Sequence, residues 1–599
     1  MFGEMPKRIS RRSALKGLAI ATLLVTVPRK LLAAALDAGN TLWRRVRPSD
    51  PAWPSASEWQ KLADEVGGNL IKVHPLIEAP DAQKYLRNPF FLGDQPAGTE
   101  VSGWLGAWTP AASVYAVKAQ RTAEVVAAVN FAREHRLRLV VKGAGHSYQG
   151  TSNAPDSLLV WMRAMNRVTL HDTFVPKGCE NQLAPVPAVT AEAGAVWIDL
   201  YHVVTSIGGR YVQGGGCTDV GVAGLVQSGG FGSFSKRFGT AAAWLLEAEV
   251  VTADGVARTV NACSDPDLFW ALKGGGGGSW GVITRVTLRT HDLPDNFGWA
   301  GGTIKASSDQ AYRKLINRFV DFYGDKLFNP HWGEEVGFTP QNTLDLSMSC
   351  EGLTHVQVKS VWQPFFDWVA GSPPDFSFVK KPWAGAFAAR GSWNVEGNRS
   401  MTPDERPGVP NYHGWWKGDQ GQVGAFLYGY DSLWLPGSLL DSAQRPQLVD
   451  ALFASSRHKE VRLHFNKGLA GAPAEAIGAT RDTATNPAVC EAFALAIIAD
   501  AEWSAYPGEK RPSMDLKVAH QAAHAVDQAA TELRRIAPNS GSYVSESNYF
   551  NEFWSREFWG ENYARLKAVK AKYDPNGLFF VHHGVGSESW SPDGFTRLS

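Results

Sequence analysis

The sequence lacks an excess of charge of either sign. Its 599 residues include 59 Lys and Arg and 58 Asp and Glu, which leaves a formal net charge of +1. A chain with no basic field is not expected to bind nucleic acid, and the absence of an acidic tract argues against a long solvated tail. The apolar content of 44% is that of an ordinary globular protein.

Cysteine is also scarce, and no C-x-x-C pair occurs among the five. This pattern predicts neither a disulfide scaffold nor a structural zinc site. We expect four of the cysteines to fill space in the core: Cys179, Cys263, Cys350 and Cys490. The His582-His583 pair has no carboxylate or cysteine pattern nearby, so we expect no metal site.

No uninterrupted apolar run reaches ~18 residues, so we expect no membrane span in the mature chain. Near the N-terminus, Arg11 and Arg12 precede a short apolar run at 18–27. This segment resembles a twin-arginine export signal, with Ala14 where that motif usually has Phe. We predict a signal peptide over 1–35 and a periplasmic or secreted protein. The alternative is a basic, disordered N-terminus.

Glycine and tryptophan are abundant, with 60 and 23 residues. Apolar spacing predicts a helix over 121–135, followed at once by a strand over 137–141. A second helix is predicted over 197–206, and the composition shifts near 293. The alternation predicts helices packed on sheets, followed by a second domain.

Three glycine clusters carry the chemistry, at 142–150, 214–224 and 274–278. Successive N–H groups in glycine-rich turns form a concavity that holds pyrophosphate. The first cluster lacks the G-x-G-x-x-G spacing of a Rossmann unit. The third is flanked by large apolar residues on both sides, which indicates buried backbone rather than a linker.

In order and spacing, these clusters resemble the berberine-bridge-enzyme-like branch of the vanillyl-alcohol-oxidase (PCMH-type) family of FAD-linked oxidases. The resemblance covers about 108–292 and resumes at NYARLKAVKAKYDPNGLFF. It implies an α+β fold with a PCMH-type FAD domain and a substrate domain of antiparallel sheet covered by helices. The implied boundaries are an extension over 36–107, the FAD domain over 108–292, the substrate domain over 293–540 and a segment over 541–599 that completes the FAD domain.

The resemblance also implies bicovalent FAD. His146 lies where the family joins a histidine to the flavin 8α-methyl, although a lone loop histidine is more often a hydrogen-bonding residue. Cys217 lies where the branch adds a thioether at flavin C6, although a buried cysteine is by default inert. The further residues implied to contact FAD are Lys142, Gly143, Ala144, Gly145, Ser147, Ser152, Val220, Gly221 and Gly224.

The catalytic base is less clearly marked. Where the family has Y-x-N-Y, this chain reads Tyr543-Val544-Ser545-Glu546, which makes Glu546 one candidate. His464 is the second, because alternating apolar residues place Arg462, His464 and Asn466 on one face of a strand. The alternative for Glu546 is a carboxylate in a solvated loop. The alternative for His464 is a position on the polar outer face of the sheet. An aromatic-rich set predicts either a pocket wall or core: Trp383, Trp393, Trp415, Trp416, Tyr428, Tyr430 and Trp434.

The sequence thus predicts an exported FAD-dependent oxidase or dehydrogenase. The expected donor is an alcohol, phenol or amine, and the electron acceptor is O2 or another oxidant. One alternative is a carbohydrate oxidase of the same fold. Another is a flavin-bearing binding protein without turnover.

Overall fold

The computed structural model describes residues 43–598. The described residues divide into two units, Val46–Glu588 and a terminal unit that contains residues 43–45 and 589–598. The predicted signal peptide lies outside the described residues. Over residues 43–598, no helix has both the length and the apolar character needed to cross a membrane.

In the terminal unit, Arg44 and Thr596 form an antiparallel bridge. The ring of Trp43 meets that of Trp590 edge-on, with centroids 5.3 Å apart. These contacts hold the two short segments together.

The larger unit begins with a four-stranded sheet in the order β1-β2-β4-β3. Its strands are β1 (Leu70–Lys72), β2 (Tyr115–Lys118), β3 (Arg138–Lys142) and β4 (Ser157–Trp161). Between β2 and β3 the helix Thr122–Glu134 buries Val125, Val129 and Ala132. Their spacing places them on one helical face, so the helix and strand predicted here are confirmed to within a residue or two.

The next strands form a five-stranded antiparallel sheet, in the order β5-β6-β10-β8-β9, and a small pair, β11-β7. They are β5 (Val168–Phe174), β6 (Val186–Glu192), β7 (Arg210–Tyr211), β8 (Leu245–Val251), β9 (Ala257–Asn261), β10 (Val282–Arg289) and β11 (His291–Asp292). One hydrophobic core joins both sheets to the C-terminal segment, through residues such as Leu158, Val250, Trp280 and Leu566.

A seven-stranded antiparallel sheet follows, in the order β15-β12-β14-β13-β19-β20-β18, together with a two-stranded pair, β16-β17. The strands are β12 (Asn296–Ala306), β13 (Trp332–Phe338), β14 (Thr343–Glu351), β15 (Phe376–Ala388), β16 (Met401–Pro403), β17 (Gly414–Trp416), β18 (Phe426–Pro436), β19 (Val461–His464) and β20 (Ala492–Glu502). Four helices share a core with this sheet: Asp309–Phe322, His355–Ala370, Arg445–His458 and Leu516–Arg534. A mixed sheet and an antiparallel sheet, followed by a helix-covered antiparallel sheet, confirm the predicted α+β fold class.

The remaining α-helices are shorter. They are Ala56–Glu65, Ala82–Tyr85, Pro89–Gly93, Trp197–Tyr201, Val222–Gln227, Ser235–Phe238, Pro266–Leu272, Ala474–Arg481, Trp554–Trp559 and Asn562–Tyr573. The helix predicted over 197–206 begins as an α-helix and continues as the π-helix His202–Ile207. Three of these helices lie within residues 43–107, and strand β1 of the same segment pairs with β2.

One cysteine prediction is wrong. Cys179 and Cys263, expected to fill the core separately, form a disulfide across 84 residues of sequence. Asn261 joins their two loops, because its side-chain amide donates to Lys177 O at 3.0 Å and its oxygen accepts from the Cys263 N–H at 2.9 Å. The pairing depends on sheet topology, so the spacing of the cysteines gave no sign of it.

Candidate active site

A cavity of about 1550 Å³ opens in the larger unit. All three glycine clusters line it, together with the polar face of the seven-stranded sheet and residues from 543–546 and 579–584. Ligand cavities in proteins usually measure roughly 300–1,000 Å³. The space therefore suits a large cofactor with a second molecule beside it.

The first glycine cluster leaves β3 and turns sharply at Gly145, whose φ is +88°. No group among residues 43–598 accepts a hydrogen bond from the backbone N–H groups of 143–147. Buried amide oxygens of Gln149 and Gln227, which line the same cavity, also lack a partner within the described part of the chain. A row of free N–H donors fits a pyrophosphate, and the two amide oxygens are acceptors for N–H groups of a bound organic cofactor.

Lys142 is the one predicted FAD contact that does not line the cavity. Its ammonium donates to Gln95 O and Gly98 O, both at 2.5 Å. Burial lowers the pKa of Lys142 to about 7. This side chain therefore fixes segment 95–98 against the glycine turn instead of reaching a phosphate.

The other predicted FAD contacts face the cavity: Gly143, Ala144, Gly145, His146, Ser147, Ser152, Cys217, Val220, Gly221 and Gly224. The first two clusters touch each other directly, since a Cβ added to Gly221 would lie 3.2 Å from Ala144 N. Substitution at Gly221 would push the two segments apart.

His146 is held by two acids. Its Nε2 is hydrogen-bonded to Asp219 Oδ2, and Glu100 Oε2 lies 3.6 Å away. Burial alone would lower the pKa of His146, but Asp219 and Glu100 raise it to about 9. Burial raises the pKa of Glu100 to about 8. Nδ1 of His146 has no hydrogen bond among the residues described and so remains available to a ligand.

Cys217 lies two residues before Asp219, on the same side of the cavity. The amide of Gln422 donates to its Sγ at 3.4 Å, and the hydroxyl of Tyr148 donates to Gln422 Oε1 at 2.9 Å. Burial, with Asp419 and Asp219 nearby, raises the pKa of the Cys217 thiol well above its usual value. Burial likewise raises the pKa of Asp419, to about 7. His146 and Cys217 thus converge on one space.

The polar face of the seven-stranded sheet forms the far wall. On β19, His464 Nε2 lies 3.2 Å from Glu335 Oε2, and Arg462 contacts Glu335 Oε1 at 2.6 Å. Burial, helped by Lys467 and Arg462, lowers the pKa of His464 well below its usual value. A neutral imidazole can accept a proton. Asn466, expected on the same strand, lies in a short 3-10 turn after it but still lines the cavity.

Glu546 faces the cavity beside Lys467, whose ammonium contacts its Oε1 at 2.7 Å and its Oε2 at 2.5 Å. The main-chain oxygen of Glu546 accepts a hydrogen bond from Ser432. Glu546 is therefore ion-paired with Lys467 at the cavity wall and is not the solvated loop residue of the alternative interpretation.

Of the aromatic set, Trp383, Trp393, Trp416 and Tyr430 line the cavity, whereas Trp415, Tyr428 and Trp434 do not. Sequence reasoning missed five polar groups of the site: Glu100, Asp219, Glu334, Asp419 and Gln422. Asp219 carried a signal, because it is an acid inside the second glycine cluster. The others lie far from any motif in sequence.

Ligand atoms of Glu100, His146 and Asp219 lie within 4.8 Å of one another, a set that metal ions also use. The free N–H row and the orphaned amides beside them match an organic cofactor instead. Fold and site together define a flavin-dependent oxidoreductase.

Comparisons with known proteins agree with that class. Residues 114–261 match the model described as FAD binding domain, and residues 542–586 match Berberine and berberine like. The chain is 28% identical over 615 residues to VAO-type flavoprotein oxidase VAO615 of Thermothelomyces thermophilus, covering 92% of this chain and 95% of that protein. It is also 28% identical over 582 residues to FAD-linked oxidoreductase ZEB1 of Gibberella zeae, covering 91% and 93%.

Among solved structures, VAO-type flavoprotein MtVAO615 from Myceliophthora thermophila C1 aligns with a TM-score of 0.74 at 24% identity, covering 92% of this chain and all of that one. Glucooligosaccharide oxidase from Acremonium strictum, described with 6-S-cysteinyl, 8α-N1-histidyl FAD, aligns with a TM-score of 0.60 at 18% identity, covering 82% and 94%. The chain therefore contains an FAD-binding domain and a berberine-like segment, is similar over most of its length to VAO-type flavoprotein oxidases, and is an FAD-dependent oxidoreductase.

Proposed function

We propose that this protein holds FAD by two covalent bonds, through His146 and Cys217, and oxidises an alcohol, phenol or amine. One observation carries the proposal. His146 is anchored through Nε2 by Asp219, which stands two residues from Cys217, so both attachment residues face one cavity. Bound FAD supplies a hydride acceptor.

The chain's own residues prepare both bonds. Asp219 holds Nε2 and leaves Nδ1 of His146 as the free nitrogen. Cys217 must lose its proton to become a nucleophile, and the side chain of Asp419 beside it is placed to take that proton. The named cysteinyl and histidyl links of the Acremonium strictum enzyme, a structural neighbour, support the same pair of bonds here.

On the substrate side, His464 and Glu546 are the two candidates that the sequence predicts for the proton acceptor, and both line the cavity. His464 is neutral and close to Glu335, whereas both oxygens of Glu546 contact Lys467. General bases of this kind contribute roughly 10²–10⁴ to a rate. O2 or another oxidant would then regenerate the enzyme.

We also propose export to the periplasm or beyond. The twin arginines Arg11 and Arg12 motivate the proposal. The disulfide between Cys179 and Cys263 supports it, since such bonds persist mainly in oxidising compartments. A cytosolic enzyme of ordinary redox environment would keep these thiols reduced.

A second candidate is a carbohydrate oxidase. Trp383, Trp393 and Trp416 present aromatic rings to the cavity, as a sugar site would require, and three structural neighbours are named as oligosaccharide or carbohydrate oxidases. A binding protein without turnover is disfavoured, because a second covalent bond adds nothing to retention once the first is made.

Anaerobic addition of donors tests these proposals together. Alcohols, phenols, amines and oligosaccharides would be added in turn, and loss of the yellow flavin absorbance recorded before readmission of air. Bleaching by one class and recovery in air are expected of an oxidase. Bleaching without recovery indicates another acceptor. A flavin that no donor bleaches would leave only the binding role.

A further inference from the structure

Strand β13 contains a residue in a conformation that strands do not normally use. Glu334 has a φ of +64°, in the left-handed region, although it lies inside Trp332–Phe338. Only glycine enters this region readily, and a side chain there costs about 1–3 kcal/mol. Such outliers are retained where the surrounding structure and function demand them.

The register of the sheet shows what this conformation changes. Glu334 stands opposite Met348 of β14, and Trp332 stands opposite Cys350. Met348, Trp332 and Val336 all face the core beneath the helices. Because side chains alternate between the two faces of a strand, a regular Glu334 would enter that apolar core.

Glu334 instead lines the cavity, as does the next residue, Glu335. The left-handed backbone therefore turns a side chain from the core face to the cavity face, as bulges beside active sites do. Two consecutive carboxylates now share one wall. A hydrophobic residue at 334 would need no such distortion, so the distortion serves the carboxylate.

Glu334 reaches the part of the cavity proposed to hold the flavin ring. A Cβ built on Gly216 would lie 3.9 Å from its Oε1, and Gly216 directly precedes Cys217. Burial, with Glu335 nearby, raises the pKa of Glu334, while a hydrogen bond with Ser233 opposes the shift. The third carboxylate of the wall, Glu546, is ion-paired to Lys467. Glu334 has no ion-pair partner within 4.0 Å among the residues described.

We infer that Glu334 is a catalytic residue, and that its carboxylate accepts the proton of the substrate's reacting O–H or N–H group. This inference rests on the proposed function. The O–H or N–H bond breaks and its proton passes to Glu334, while its electron pair forms the second bond of the C=O or C=N product. Bound FAD would supply the acceptor for the hydride of the adjoining carbon, so atoms and electrons balance.

The first test measures flavin reduction in holoenzyme by stopped flow, without oxygen, using a donor that bleaches the wild type. Glu334→Gln should slow reduction by roughly 10²–10⁴ and leave FAD bound. Glu351→Gln is the matched control, because Glu351 is a buried glutamate on the neighbouring strand β14 that does not line the cavity. It should change the rate by less than about threefold. The same small effect for Glu334→Gln would overturn the inference.

The second test needs no donor. At an ordinary strand position, a glycine variant has a lower melting temperature than the alanine variant. Where φ is positive, the glycine variant has the higher melting temperature. Glu334→Gly should therefore have a higher melting temperature than Glu334→Ala. At Asp345, an ordinary position of β14, the order should reverse. If Glu334→Gly melts below Glu334→Ala, the side chain is not turned by strain and the inference fails.

The failures are distinguishable. If no donor bleaches the wild-type flavin, the proposed function is wrong and the inference falls with it. If the wild type is bleached and Glu334→Gln is reduced as fast, the proposed function stands and the inference alone is wrong.

Discussion

Attachment of FAD through His146 should depend steeply on pH. Asp219 and Glu100 hold the pKa of His146 at about 9, against an ordinary value of 6.5. Only the neutral imidazole has a free lone pair on Nδ1. At pH 7 about one molecule in a hundred carries that form, and the fraction rises about tenfold per pH unit until it levels off near pH 9.

The assay uses the Cys217→Ala variant, so that His146 supplies the only covalent bond. Protein made in a riboflavin-starved auxotroph would be mixed with FAD at pH 6 to 10, and the covalently labelled fraction followed by mass after denaturation. The initial rate should rise about fiftyfold from pH 7 to pH 9, because the neutral fraction of His146 rises from about one in a hundred to about one half. Asp219→Asn, introduced into the same Cys217→Ala protein, keeps a hydrogen-bond acceptor for Nε2 of His146 but removes the negative charge. The labelling rate of this double variant should therefore level off at a lower pH.

Two results would refute this reasoning. A rate that is flat between pH 7 and pH 9 would mean that loss of the His146 proton does not limit bond formation. An Asp219→Asn profile that overlays its parent would mean that Asp219 does not set the charge of His146. His146→Ala in the same background should give no labelled protein at any pH.

Two further predictions concern stability and location. Replacing Cys179 and Cys263 together by serine should destabilise the fold by at most about 4.5 kcal/mol, the chain-entropy value for a loop of 84 residues, measured as a lower denaturant midpoint. An unchanged midpoint would show that the bond does not form. Changing Arg11 and Arg12 to lysine should retain yellow, active protein in the cytoplasm. Equal export of both forms would remove the twin-arginine proposal.

The features that could be predicted from sequence are those set by neighbouring residues: single helices, single strands and glycine-rich turns. The helix Thr122–Glu134 and strand β3 follow from apolar spacing alone. The glycine clusters, which the sequence predicts to contact a cofactor, all line the cavity. The large apolar residues on both sides of the third glycine cluster likewise predicted that this cluster is buried. At Gly276, the N–H donates to Gln227 O at 2.8 Å and φ is +92°.

Contacts between segments that are far apart in the sequence could not be predicted, because they depend on the tertiary fold. Glu100 contacts His146 from a segment without a motif. Cys179 meets Cys263 because the loop after β5 crosses to the other edge of the sheet, where the backbone of Lys177 is hydrogen-bonded to Glu247 of β8 and Asn261 of β9. At Glu334 the pattern misleads, since strand alternation assigns the residue to the core and only its backbone conformation turns it to the cavity. Distortions of this kind are set by tertiary structure.

The intact mass of the denatured protein tests the bicovalent assignment most directly. Wild-type chain should carry the mass of one FAD after unfolding in acid. His146→Ala and Cys217→Ala should each still carry it through the surviving bond, with an altered absorption spectrum, and only the double variant should release it. A wild-type chain without added mass, or a double variant that keeps it, would contradict attachment through these two residues.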